Sequence, residues 1–260
     1  MDPMQNLNNA ADALNQVAQR AGGFWDDADA QIAQRQAAYD ALGADLVNVV
    51  NDRMYFPATI DPDDPNPTNE RGGVFTTLGA AINAAPSGSY IVVSLLAGKT
   101  HNLDASVWIT SKTIVVTRTG GGDNPVVMIG NTSNGATNSP VRLNSGAMAA
   151  IRFVNVDIEY APKTDAGLPW AASPLCAPSY GTQIFVSLYG VSVTGPAEAF
   201  LVSTYAGSTA FLNLGVVGLD GVNGAQVSLG MLVVGQYNVS LANGSQIHAG
   251  GTVGTNVLIN

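Results

Sequence analysis

The sequence predicts a mainly β chain, with a long β-rich body behind an N-terminal helical segment. Three observations predict it. Residues 74–260 hold many short β-prone runs punctuated by Gly, Asn, Ser or Thr. Apolar residues over 4–53 recur at spacings of three and four. Beyond a short helix at 78–85, no helical pattern separates the β runs, which disfavours Rossmann and barrel folds built from β-α-β units. A β-sandwich or jelly roll is the alternative arrangement of the same runs.

The N-terminal segment, residues 1–53, is taken first. Ala11, Leu14, Ala18, Ala21, Trp25, Ala28, Ile32, Arg35, Tyr39, Leu42, Leu46, Val49 and Arg53 trace a heptad seam. Leu14, Trp25, Ile32, Tyr39, Leu42, Leu46 and Val49 are its main apolar members. Gly22-Gly23 and Gly43 are expected to break or loosen the helix, and Arg35 puts a charge at a core position. Fifty helical residues span roughly 75 Å, more than a body of this size needs for its own core. Two amphipathic helices lying on another protein are the competing arrangement.

Residues 54–73 read as a linker. Four prolines and four acids in that stretch oppose helix and strand alike. Asp61, Asp63 and Asp64 match part of a calcium loop, but interleaved prolines and the missing Gly-then-Glu end argue against one. No metal and no cofactor are expected.

The body, residues 74–260, opens with a helix carrying Leu78, Ala81, Ile82 and Ala85 and closed by Pro86-Ser87-Gly88. Strand-like runs follow at 90–96, 107–109 and 113–117, and later ones include 150–158, 184–188, 211–217, 226–234 and 256–259. A small motif recurs as Phe185-Val-Ser-Leu188, Phe211-Leu-Asn-Leu214, Val227-Ser-Leu229 and Val239-Ser-Leu241. Its spacing is irregular, so it marks a loose repeat and not a strict period.

Charge is scarce and uneven. Residues 1–73 hold 12 acids and 4 Lys/Arg, residues 74–260 hold 7 and 6, and from Phe200 onward the sole formally charged side chain is Asp220. An acidic chain of pI about 4.4 does not suit nucleic acid, which needs clustered Lys/Arg. No run approaches the length of a membrane span, and the N-terminus lacks the basic and apolar regions of a secretory signal. Cys176 alone builds no intrachain disulfide and reads as a small packed thiol.

Catalytic chemistry has one foothold. Asp157 and Glu159 are a close acidic pair at i and i+2, on one face of a strand, with Lys163 and Tyr160 nearby as bases. Two solvated side chains on an outward face fit the same pattern. Residues 161–180 read as the longest irregular stretch, and Asp165, Trp170 and Tyr180 within it are receptor-binding candidates. His101 and His248 stand apart with no ligand pattern around them. Gly120-Gly121-Gly122 runs into a turn, not a helix N-terminus, so it does not read as a phosphate loop.

The run from Phe75-Thr-Thr-Leu78-Gly-Ala-Ala-Ile82 through Val92 and Gly98 resembles the opening of a right-handed parallel β-helix of the pectin-lyase type. With the acidic helical start, the Pro/Asp segment and the nearly charge-free C-terminal third, the combination resembles bacteriophage tail fibres and tailspikes. That resemblance implies a homotrimer on the virion. Residues 1–53 would dock to other virion proteins, and the body would meet a host-surface glycan or protein. No membrane insertion is expected, since no run is long and apolar enough. Depolymerase members carry longer β-helices with several acids in a groove, so a non-catalytic attachment role is expected here. A polysaccharide depolymerase using Asp157 and Glu159, and a head spike or adaptor fibre, are the alternatives; a pentamer is the alternative symmetry. The charge-free surface argues for self-association on its own, since uncharged β surface left open invites aggregation.

Overall fold

The computed structural model describes residues 3–103, 105–133, 138–140, 143–161, 173–196, 199–204, 206–250 and 255–260. The chain forms two compact units, Met1–Asp52 and Arg53–Asn260. It is mainly β, 47% strand against 23% helix.

The first unit is a single helix, α1 (Pro3–Met54). It runs unbroken through Gly22-Gly23 and Gly43, which corrects the expected interruption. Each glycine costs about 1 kcal/mol in a helix interior, and the Ala-, Gln- and Leu-rich turns around them are strong enough helix formers to carry the chain across. Seam residues face solvent: Leu14 is 70% exposed, Trp25 65%, Ile32 65%, Tyr39 70%, Leu42 56% and Leu46 56%. The Val49 side chain lies outside the described side chains. Met4 and Leu7, also exposed, extend the seam by another heptad.

The second unit begins with β1 (Tyr55–Ile60), β2 (Val74–Phe75), α2 (Leu78–Ala84), β3 (Tyr90–Leu96), β4 (Thr100–Leu103), β5 (Val107–Trp108), β6 (Thr113–Thr119) and β7 (Val126–Ile129). Next come a small antiparallel pair, β8 (Asn131–Ser133) and β9 (Asn138–Pro140), then β10 (Leu143–Ser145), β11 (Ala149–Val154), β12 (Asp157–Tyr160) and β13 (Ser173–Pro178). The remaining strands are β14 (Gln183–Thr194), β15 (Ala199–Thr204), β16 (Thr209–Asp220), β17 (Asn223–Val227), β18 (Met231–Ala242), β19 (His248–Ala249) and β20 (Val257–Ile259).

Among the described residues these strands make two curled parallel sheets, one of 12 strands and one of 6, around one shared core. Strict alternation sets the register. In the larger sheet Phe56, Ile91, Ile114, Ile151, Val186, Leu212 and Val234 are partners in turn across seven strands, all buried. In the smaller sheet the sequence of partners is Val107, Leu143, Cys176, Val202, Ala225 and His248. A one-residue slip anywhere would turn such a row outward, so burial fixes the pairing.

Strand β1 corrects the reading of 54–73 as free of regular structure. Pro57 is tolerated because β1 lies near the edge of the sheet, paired along its length only with β3 and with β2 just at Thr59 and Ile60. Likewise β13 corrects the reading of 161–180 as one irregular stretch: Leu175 and Cys176 there are fully buried.

Helix α2 sits against β4 and β5. Thr77 caps it, its hydroxyl accepting from the Ala80 N–H at 3.1 Å, and Leu78, Ala81 and Ile82 fill the core. Gly79 permits the close approach: a methyl there would lie 3.1 Å from the Val107 side chain. At the other end the Lys112 ammonium donates to the Ile82 carbonyl at 2.6 Å.

The long strands β14, β16 and β18 each bend in the middle at a left-handed residue, Gly190 (φ 64), Val216 (φ 56) and Asn238 (φ 53), and Asn155 (φ 52) makes the same corner between β11 and β12. The register on either side shows that these corners stack. Glycine and asparagine suit that conformation; a β-branched valine does not.

Candidate binding face

The two acids singled out by the sequence both lie on β12 and point away from the core. Asp157 is bound into the fold: its Oδ1 accepts from Asn124 Nδ2 at 3.1 Å and from the Ser192 N–H at 2.9 Å, while Asn124 also donates to the Gly190 carbonyl at 3.3 Å. It therefore ties three successive corners together. Glu159 is exposed, between Met128 and Thr194, with no hydrogen bond to another described residue. Tyr160 corrects the idea of a base nearby. It is 3% exposed, and its hydroxyl donates to the Phe200 carbonyl at 2.7 Å on the opposite side of the strand. Burial pushes its pKa well above the ordinary tyrosine value.

Asp165, Trp170 and Lys163 lie outside the described residues. Tyr180 is 79% exposed on a turn, against Gly207. His101 is buried, with one ring nitrogen 3.2 Å from the Leu96 carbonyl, and desolvation holds its pKa below the ordinary value. Cys176 is a buried thiol whose pKa burial raises. Beside Asp61 and Asp63 sits the Lys99 ammonium, at 2.7 and 3.0 Å, and its hydrogen bond holds the Asp61 carboxyl below the usual range. Among the described residues no three His, Cys, Asp or Glu side chains gather as a metal site, and no helix is long and apolar enough to cross a membrane.

A different feature emerges from the pairing. The outward face of the larger sheet carries, strand after strand, Tyr55, Tyr90, Thr113, Ala150, Phe185, Phe211, Val233 and Leu258. Tyr55 stacks on Tyr90 (centroids 6.3 Å apart), and Phe185 on Phe211 (4.3 Å, 4° between planes). Between the two aromatic pairs the small side chains of Thr113 and Ala150 leave a shallow depression. Tyr90 and Phe185 are three strand steps apart, about 14 Å. Arg152 lies in the depression, exposed, with no hydrogen bond or ion pair to another described residue. Ser187 and Asn213 add hydroxyl and amide groups along the same row.

This face offers flat rings for stacking, one unpaired guanidinium and a few neutral donors. Among the described residues, the lining of the depression holds no carboxylate. Sequence reasoning missed it because the partner residues lie far apart in the chain and meet only through the strand register; the repeated Phe185 and Phe211 motif was the one visible trace.

Comparison with known protein families, with curated proteins and with solved structures finds no match for this chain.

Proposed function

We propose that this protein is a non-catalytic attachment fibre or spike of a virus particle of the bacteriophage kind, assembled as a homotrimer. In this reading the two parallel sheets close into a right-handed β-helix, α1 serves as the trimerising and anchoring segment, and the larger sheet's outward face meets a host-surface glycan. The observation that carries it is the 52-residue helix α1, a unit of its own whose apolar seam is exposed from Met4 to Leu46. Such a seam is stable in water only when other helices cover it. The near-absence of charge beyond Phe200 supports association of like chains without mutual repulsion.

The glycan reading rests on Tyr90, Arg152 and Phe185. Sugar rings stack on aromatic faces, and a lone guanidinium favours an acidic sugar. The Asp157 ties support a structural role for that carboxylate over a catalytic one.

The test has two parts. The native mass of the full-length protein gives the oligomer, and three chains are expected. Purified protein is then set against particle adsorption to host cells. The wild type competes, and Arg152→Glu and Phe185→Ala compete at least about tenfold less well, the loss of one good contact. Unchanged competition by both variants rejects the face as the contact.

A further inference from the structure

We infer that the α1 bundle holds a small inorganic anion at the level of Arg35. The inference rests on the trimer reading above and goes one step beyond it. Three copies related by a closed rotation must run parallel and in register, because any rotational symmetry above twofold requires it. Every seam residue then meets its own copies at one height. For most layers this is harmless: Leu14 meets Leu14 and Ile32 meets Ile32. At Arg35 it gathers three guanidinium groups near one axis.

Three like charges in an apolar seam need a counter-charge. The chain does not supply one at that level. The positions flanking the layer, four residues before and one after, are Gln31 and Gln36. The nearest acids in sequence are Asp29 and Asp40, about 9 and 7.5 Å along the axis at 1.5 Å per residue. The Asp40 carboxylate already accepts a hydrogen bond from Gln36 Nε2 at 2.9 Å. Arg35 itself makes no hydrogen bond or ion pair with another described residue. Next to it the small Ala38 leaves a hollow on the helix surface, lined by Arg35, Ala38, Tyr39 and Leu42. Guanidinium groups converging on such hollows form a cage of cationic N–H donors. Its natural occupant is a halide or a small oxyanion.

The experiment uses full-length protein in sodium chloride and in sodium gluconate at equal ionic strength, gluconate being too bulky for a helical seam. Thermal unfolding of the helix is followed by circular dichroism, and oligomer size by sedimentation. Chloride is expected to raise the midpoint of the trimer by about 5 °C over gluconate, as binding to the assembled state alone requires. Arg35→Leu is expected to remain a trimer and to lose the difference between the two salts. A trimer with equal midpoints in both salts overturns the anion site and leaves the trimer standing. So does an Arg35→Leu trimer that still prefers chloride. A monomer or a dimer overturns the trimer reading and the site with it.

Discussion

The Lys112 ammonium donates to the carbonyl of Ile82, 2.6 Å away, and so closes the C-terminal end of the helix that packs over the first strands of the body. Lys112 is 9% exposed, and burial holds its pKa below the ordinary lysine value. A buried charge is retained here because it satisfies a helix-end carbonyl that would otherwise be orphaned.

Replacing it tests that account. Lys112→Met keeps the aliphatic stem and removes the donor, and is expected to lower stability by about 1–3 kcal/mol, the cost of one buried acceptor left without a partner. Urea unfolding of the full chain, read by fluorescence, measures it. An unchanged midpoint would show that water reaches the Ile82 carbonyl.

Tyr160 gives a pH dependence with a definite sign. Its folded pKa is raised above the ordinary value of 10.0, so its contribution to stability is complete below that pH and is lost as pH rises beyond it, where the unfolded chain ionises first. Tyr160→Phe removes the bond to the Phe200 carbonyl and is expected to cost about 1 kcal/mol at neutral pH. The decline of stability above pH 10 should be shallower in the variant than in the wild type. Parallel declines would reject the assignment.

Val216 occupies a left-handed corner at φ 56, where its stacked neighbours are Gly190 and Asn238. Val216→Asn is expected to stabilise the body by about 1 kcal/mol, since the left-handed conformation costs an ordinary L-residue roughly 1–2 kcal/mol and asparagine less. A higher melting temperature is the readout, and a lower one would mean that the half-exposed valine packs better than its backbone suffers.

The acids on β12 should behave differently from one another. Asp157→Ala strips the acceptor from Asn124 and from the Ser192 N–H, and is expected to cost about 1–2 kcal/mol. Glu159→Gln, on an exposed side chain, is expected to stay within about 0.5 kcal/mol. A catalytic pair would instead show itself in the double variant Asp157→Asn with Glu159→Gln. Clearing of capsule by the wild type and its loss in that variant would establish the depolymerase alternative.

Much of the body was legible because burial and alternation coincide. Leu78, Ala81 and Ile82 announce a helix, and Ile91, Val93 and Leu95 announce a half-buried strand, without reference to anything distant. The motif shared by Phe185–Leu188 and Phe211–Leu214 is a true structural repeat, since the structure pairs Phe185 with Phe211 and Leu188 with Leu214. The likeness of Val227-Ser-Leu229 and Val239-Ser-Leu241 misled. Residues 233–236 are the next members of that row, Val239 and Leu241 belong to the row of Val217 and Leu219, and Val227 ends a strand of the other sheet. Pro57 hid a strand because local propensity cannot register that an edge position needs no donor. The face around Arg152 stayed hidden for a deeper reason: Tyr90, Arg152 and Phe185 become neighbours only through a register that spacing along the chain does not reveal.

The pairing of Gln183 with Thr209, and of Thr209 with Met231, has an evolutionary corollary. Excising Thr209–Gly230 would deliver Met231 to the place Thr209 now holds, with Leu232 replacing Ala210 and Val234 replacing Leu212 on the inner side. Inner and outer identities survive the excision in the larger sheet, so strands can be gained or lost as cassettes. Natural selection can thereby add or subtract parallel strands within the body without remaking the strands on either side.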